Sequence, residues 1–178
     1  MISESDYYRV HTAMRGCFAA MVRASGARVV RTEPHLVTRA GEEHLRGDLE
    51  MSELSSYTNS IISDNSMVNA QQDQYKTVSQ QYFGVTNARE QEKVSKYDTR
   101  VKREGKIFIP LIHDNFGALG QQALQFVQTC RLTAVANQRI PSRTSHYYFS
   151  VPWIQRLSFA IVKNSAAGML AHLMNITH

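Results

Sequence analysis

LRGDLEM, residues 45–51, admits three readings: an exposed adhesion tripeptide, the first half of an acidic site, or an ordinary strand with charges at its mouth. Arg46-Gly47-Asp48 alone cannot decide among them, because a tripeptide recurs by chance and a short motif is only as good as its structural context. Working outward, residues 44–51 form a strand candidate entered from a turn at Gly41. The next apolar run of strand length, SIISDNSMV (60–68), carries a second aspartate, Asp64. Two acids on neighbouring strand candidates keep the second reading open, and the rest of the chain supplies its context.

The composition describes a soluble globular protein: 178 residues, 43% hydrophobic and 20% charged. A chain of this size buries a core without disulfides or metals, so one domain over residues 1–178 is expected. Its two cysteines, Cys17 and Cys130, fall in helix-like segments, which points to packing roles and a reducing compartment. No run of about 18 apolar residues offers a membrane span. The stretch MISESDYYRVHT lacks the apolar core of a secretory signal, and Glu4 and Asp6 argue against an organellar transit peptide. An intracellular setting is therefore expected, and the adhesion reading loses its compartment.

The net charge of +5 favours phosphate-rich partners. Arg100, Lys102, Arg103 and Lys106 cluster together, and no Asp or Glu occurs from residue 115 to 178. Arg131, Arg139, Arg143, Arg156 and Lys163 in that segment predict a positive surface.

Hydrophobic periodicity gives the element order. Residues 6–26 read as an amphipathic helix with Tyr7, Val10, Met14, Phe18, Met21 and Val22 on one face. ARVVRTEPHL (27–36) reads as a strand, followed by the strands at 44–51 and 60–68. The Gln-rich stretch 71–87 reads as a loop or lid. A charged helix over 88–104 has Val94, Tyr97 and Val101 as its apolar stripe, and KIFIPLIH (106–113) is the most strand-like run. Two helices follow, at 117–137 and from about residue 150, where Ser150 reads as the cap. The order α-β-β-β-α-β-α-α predicts an α/β fold, a small mixed sheet flanked by helices.

Asp48, Asp64 and a nearby lysine compose the set that a metal-dependent phosphodiesterase uses. Two carboxylates offer hard oxygen ligands to Mg²⁺, the metal acidifies a water and neutralises phosphate charge, and a lysine stabilises the transition state electrostatically. A lysine two residues after the second acid is absent, since Ser66 stands there. Glu104-Gly105-Lys106 matches the pattern literally but spans a helix stop and a turn, and reads as a decoy. Lys93, Lys96 and Arg100 share one helix face. Favourable pairs Glu92–Lys96 and Asp98–Lys102 make a solvated charged face the reading that spacing alone prefers.

Seven histidines lack ligand-like spacing, so no zinc site is expected, and His113 reads as structural or as close to the cleft. Tyr147, Tyr148 and Phe149 beside Arg143 have the chemistry to stack on bases, but a partly buried aromatic run before a helix is the preferred reading.

The chain resembles the endonuclease domain at the C-terminal end of certain non-LTR retrotransposon polyproteins, within the restriction-endonuclease-like PD-(D/E)xK superfamily. The likeness runs through Glu33-Pro34, Arg46-Gly47-Asp48-Leu49, Asp64, Lys96-Tyr97 and Gly105. It continues through Phe108-Ile109-Pro110-Leu111, Asp114 to Gly120, and Trp153-Ile154-Gln155-Arg156-Leu157-Ser158, covering nearly the whole chain. The resemblance implies a restriction-endonuclease-like core, with Asp48 and Asp64 as metal ligands and Lys96 as the catalytic lysine. Lys93 is its substitute and Glu33 an accessory acid, with Mg²⁺ or Mn²⁺ as cofactor and DNA as substrate. Nucleic-acid contacts are expected from Arg46, Arg100, Lys102, Arg103, Lys106, Arg143 and Arg156.

The sequence departs from that pattern where Asn65 replaces an apolar strand residue, and where Asp114 stands for a glutamate. At 178 residues, the sequence is expected to stand apart from a reverse transcriptase. Two functions follow. One is a metal-dependent DNA endonuclease, a stand-alone relic of a retroelement, with the nucleus as its compartment. The other is an inactive nuclease fold without cofactor, binding RNA among protein partners in a ribonucleoprotein assembly such as a ribosome, in an organelle or the cytoplasm.

Overall fold

The computed structural model describes residues 4–69 and 71–176, with side chains over 7–69 and 71–167. Met1–Ser3, Ala70 and the side chains of Glu4 and Asp6, all used in the reading above, lie outside the described residues.

Helix α1 spans Glu4–Ala24, and strands β1 (Arg28–Thr32), β2 (Leu49–Ser52) and β3 (Ile61–Val68) follow. Helix α2 (Gly84–Arg103) leads to β4 (Ile107–Asp114), and α3 (Gln121–Ala136) and α4 (Val151–Ile176) complete the order α-β-β-β-α-β-α-α. The sheet runs β1-β2-β3-β4. The first two pairings are antiparallel and β3–β4 is parallel, with α2 as the crossover that a parallel pair requires. The described residues thus form an α/β fold with a small mixed sheet and four α-helices.

One sheet face packs on α1 and α3, and α4 lies against α1. Val10, Met14, Phe18, Met21 and Val22 of α1 are fully buried there, as their helical spacing predicts, and Phe18 meets the ring of Phe126 edge-on at 6.3 Å. Each such side chain contributes roughly 1.5–3 kcal/mol by leaving water. Tyr7, expected on the same face, is 39% exposed and turns toward β3. The other sheet face meets α2, where Tyr97 stacks on Phe108 at 4.9 Å and packs with Val101 and Ile62. The edge strand β1 is mostly exposed and carries Arg28 and Arg31, charges that discourage edge-to-edge pairing.

Several boundaries differ from the sequence reading. Glu33 takes a positive φ of 51° and ends β1 at Thr32, so residues 33–36 are not strand. Residues 44–48 are irregular apart from a single bridge between Arg46 and His35, and β2 is confined to 49–52. The Gln-rich stretch is no open loop throughout. It holds a 3-10 turn at Asp73–Tyr75 anchored by buried Tyr75, and its last residues, Gly84 to Asn87, already belong to α2. Ser150 caps nothing: a π-helical turn, His146–Ser150, runs straight into α4 and buries Ser150. His113 is wholly buried in β4.

Candidate active site

A central strand covered on both faces normally reads as an unbroken aliphatic run. β3 breaks that rule: Ser63, Asp64, Asn65 and Ser66 are consecutive, polar and buried. Buried polar groups cost free energy unless paired, and local violations of this kind concentrate at functional sites. β2 meets β3 at Ile61–Ser63, so among the described residues β3 has no strand neighbour on that side beyond Ser63. α1 borders the resulting notch. Asn65 Nδ2 donates to the His11 carbonyl at 3.3 Å, and Tyr7 Oη lies 3.5 Å from Ser66 Oγ.

Asp48 enters the notch from the start of β2. Leu49 pairs with Ser63, and one step further along an antiparallel register sets Asp48 opposite Asp64. Asp48 N donates to Ser63 O at 2.7 Å, and its own carbonyl accepts from Glu33 N at 2.9 Å. Its Oδ2 accepts from Asn65 N at 2.6 Å and lies 3.1 Å from His11 Nε2. Gly47 makes this approach feasible: a Cβ there would stand 2.6 Å from Ile62 Cγ2 and 3.2 Å from Ser63 O. Arg46-Gly47-Asp48 is therefore a strand entrance pressed onto β3, with Asp48 only 7% exposed.

Asp64 is equally buried. Lys93 Nζ forms an ion pair with its Oδ2 at 2.6 Å, and Tyr97 Oη donates to its Oδ1 at 3.0 Å. The same hydroxyl lies 3.1 Å from Arg46 O, so its one proton is shared between two acceptors. Burial raises the Asp64 pKa, the ammonium of Lys93 works against that rise, and the neighbouring Asp48 adds to it. Burial and the Asp64 carboxylate hold the Tyr97 phenol well above its ordinary range. Tyr97 therefore stays a neutral donor.

Lys96 lies elsewhere. It extends to Glu43 at 3.1 Å with its side chain 46% exposed, while Lys93, one helical turn before Tyr97, lies 5.6 Å from that ring and reaches Asp64. Of the two intrahelical pairs expected, Asp98–Lys102 forms at 2.7 Å, whereas Glu92 takes Arg89 and leaves Lys96 to Glu43. Glu33 is clasped by Arg15 and by Arg46 at 3.4 Å, and the bond from Arg15 lowers its pKa. It is the centre of a clasp between α1 and the entrance to β2, held as a stable anion.

The expected nucleic-acid contacts divide into two groups. Arg100 and Arg103 pair with Glu42, whose carboxyl they hold down to about 2, Arg103 chiefly. Lys102 pairs with Asp98, and Lys106 is held between Glu50 and Glu104. The 100–106 cluster is thus largely neutralised by ion pairs. Arg143 and Arg156 are exposed and form no ion pair among the described residues, Arg156 lying over the Trp153 ring at 4.9 Å.

No protein-family model matches the chain, and no curated protein matches it.

Among the described residues no three His, Cys, Asp or Glu side chains converge on one metal position. Two carboxylates suffice for Mg²⁺, which keeps several waters and completes its shell with substrate phosphate. Asp48 and Asp64 fit that mode: both are hard oxygen donors, and one lysine faces the pair where two negative charges meet. His11 and Arg15 are the site residues that sequence reading passed over. With Tyr7 they recur at i, i+4 and i+8 on α1, a polar stripe beside the apolar one, which was the available signal.

Proposed function

We propose that this chain is a Mg²⁺-dependent phosphodiesterase with a restriction-endonuclease-like core, cutting DNA in the manner of the retrotransposon endonuclease domains that it resembles. The observation that carries the reading is the 2.6 Å contact of Lys93 with Asp64 on the buried strand beside Asp48. Asp48 and Asp64 would hold Mg²⁺, which would supply charge neutralisation at the scissile phosphate and acidify a water. Lys93, rather than Lys96, brings the ammonium that stabilises charge developing on the phosphate. Tyr97 fixes one oxygen of Asp64, and Asn65 N with His11 fixes one oxygen of Asp48, so both carboxylates are preorganised. Arg46, at the site's mouth and 54% exposed, is placed to meet the DNA backbone.

One observation favours the second reading, a nuclease fold that binds RNA within an assembly and does not cut. Both oxygens of Asp64 already have protein partners. The two readings part in a plasmid-relaxation assay with Mg²⁺ or Mn²⁺. Relaxation lost in Asp64→Asn and on chelation supports the nuclease. A folded protein that binds but leaves plasmid supercoiled under either metal supports the binding role.

A further inference from the structure

The charge of the chain is segregated. Residues 115–178 contain Arg131, Arg139, Arg143, Arg156 and Lys163 with no Asp or Glu, which accounts for the whole net charge of +5. The remaining basic residues are matched in number by the 15 acids. Within this segment Tyr147 is 73% exposed and Tyr148 is 68% exposed. Adjacent, exposed aromatic side chains of this size call for a reason, because apolar surface kept in water costs stability.

Their backbone is held firmly. Both tyrosines lie in the π-helical turn His146–Ser150, a rare conformation that is frequent at functional sites. Phe149 in the same turn is buried at 3% exposure and packs 6.1 Å from Trp153. Arg131 donates to Ser145 Oγ, and Ser145 Oγ donates to Ser142 O at 2.8 Å, tying the turn to α3. His146 meets the Tyr147 ring edge-on at 5.7 Å. Arg139 and Arg143 are exposed, precede the turn and make no ion pair among the described residues.

We propose that Tyr147 and Tyr148, with Arg139 and Arg143, form a stacking platform for single-stranded nucleic acid, separate from the carboxylate site. Aromatic faces accept bases without sequence preference, while nearby cations follow the phosphates. Tyrosine suits a fixed platform because only two torsions are ordered on contact. The platform shares with the function proposed above only the class of partner, and stands whether or not the carboxylates cut.

The test is fluorescence anisotropy with a labelled oligothymidine of about 20 nucleotides, in chelator so that nothing is cleaved. Tyr147→Ala with Tyr148→Ala weakens binding roughly tenfold or more, whereas the paired Tyr→Phe variant stays within about twofold, because stacking needs the ring and not the hydroxyl. Arg143→Gln lowers the slope of log affinity against log salt by about 0.7. Unchanged binding in the double alanine variant, or equal loss in the phenylalanine variant, would overturn the platform. So would labelled polyglutamate binding as tightly as the oligonucleotide, which would mark an acidic-protein surface instead.

Discussion

Lys93 Nζ lies 2.6 Å from Asp64 Oδ2, although the two residues come from different elements and neither is next to a recognisable motif partner. α2 crosses over the β3–β4 pair and delivers Lys93 by the same helical face that buries Tyr97 and Val101. Lys96 is one residue before Tyr97, about 100° round the helix, and meets Glu43 instead.

That geometry ranks the two lysines. Lys93→Met is expected to lower the cleavage rate on the order of a hundredfold or more, the loss typical of removing a preorganised electrostatic group from a transition state. Lys96→Met, which breaks an exposed ion pair, is expected to change the rate by no more than about threefold. Single-turnover kinetics on an end-labelled duplex compares them directly.

Divalent-cation binding is expected to depend on pH. Burial raises the Asp64 pKa, so a proton competes with the metal for its carboxylate at the acid end. Calorimetry with Mn²⁺ is expected to show affinity rising through the carboxylate range and levelling off above it. Asp48→Asn and Asp64→Asn each abolish the signal, and the metal-induced rise in Tm disappears with them.

Gly47 is predicted to be irreplaceable for steric reasons. An added Cβ meets Ile62 Cγ2 at 2.6 Å and crowds the β3 backbone. Gly47→Ala is expected to destabilise the fold by roughly 1–3 kcal/mol, the usual cost of overpacking, and to displace Asp48 enough to impair activity. Urea unfolding and the cleavage assay on the same preparation read the two effects.

His113 makes stability sensitive to acid. Its folded pKa is lowered from 6.5 to about 4, chiefly by complete burial. The unfolded chain therefore takes up a proton at a pH where the folded chain does not. Stability is full above the unfolded value and drains as pH falls from 6.5 toward 4, by on the order of 3 kcal/mol in all. His113→Leu is expected to flatten that part of the stability–pH curve, as followed by denaturant midpoints across the range.

Periodicity made the architecture legible wherever burial is one-sided or complete. Val10, Met14, Phe18, Met21 and Val22 spelled out the inner face of α1, and KIFIPLIH gave β4 almost to the residue. Boundaries failed where local backbone geometry overrode pattern. The positive φ of Glu33 ended β1 early, and the π-helical turn carried the chain through Ser150 without a cap. Asp64 was visible because an acid inside an apolar run of strand length is an anomaly in itself, and Asp48 because it stands at the mouth of the neighbouring strand candidate. The lysine was not fixed by spacing, because Lys93 and Lys96 both border the apolar stripe of α2 and the docking of Tyr97 on Phe108 sets the helix's rotation. The 100–106 cluster looked like a free basic patch because its partners Glu42 and Glu50 are distant in sequence.

If Asp48, Asp64 and Lys93 together hydrolyse phosphodiester bonds, the protein nicks supercoiled plasmid. Mg²⁺- or Mn²⁺-dependent nicking by the wild-type protein is expected, lost with chelator and in Asp64→Asn, and retained in Lys96→Met. Supercoiled plasmid left intact by folded wild-type protein under either metal, or nicked undiminished by Asp64→Asn, would contradict it.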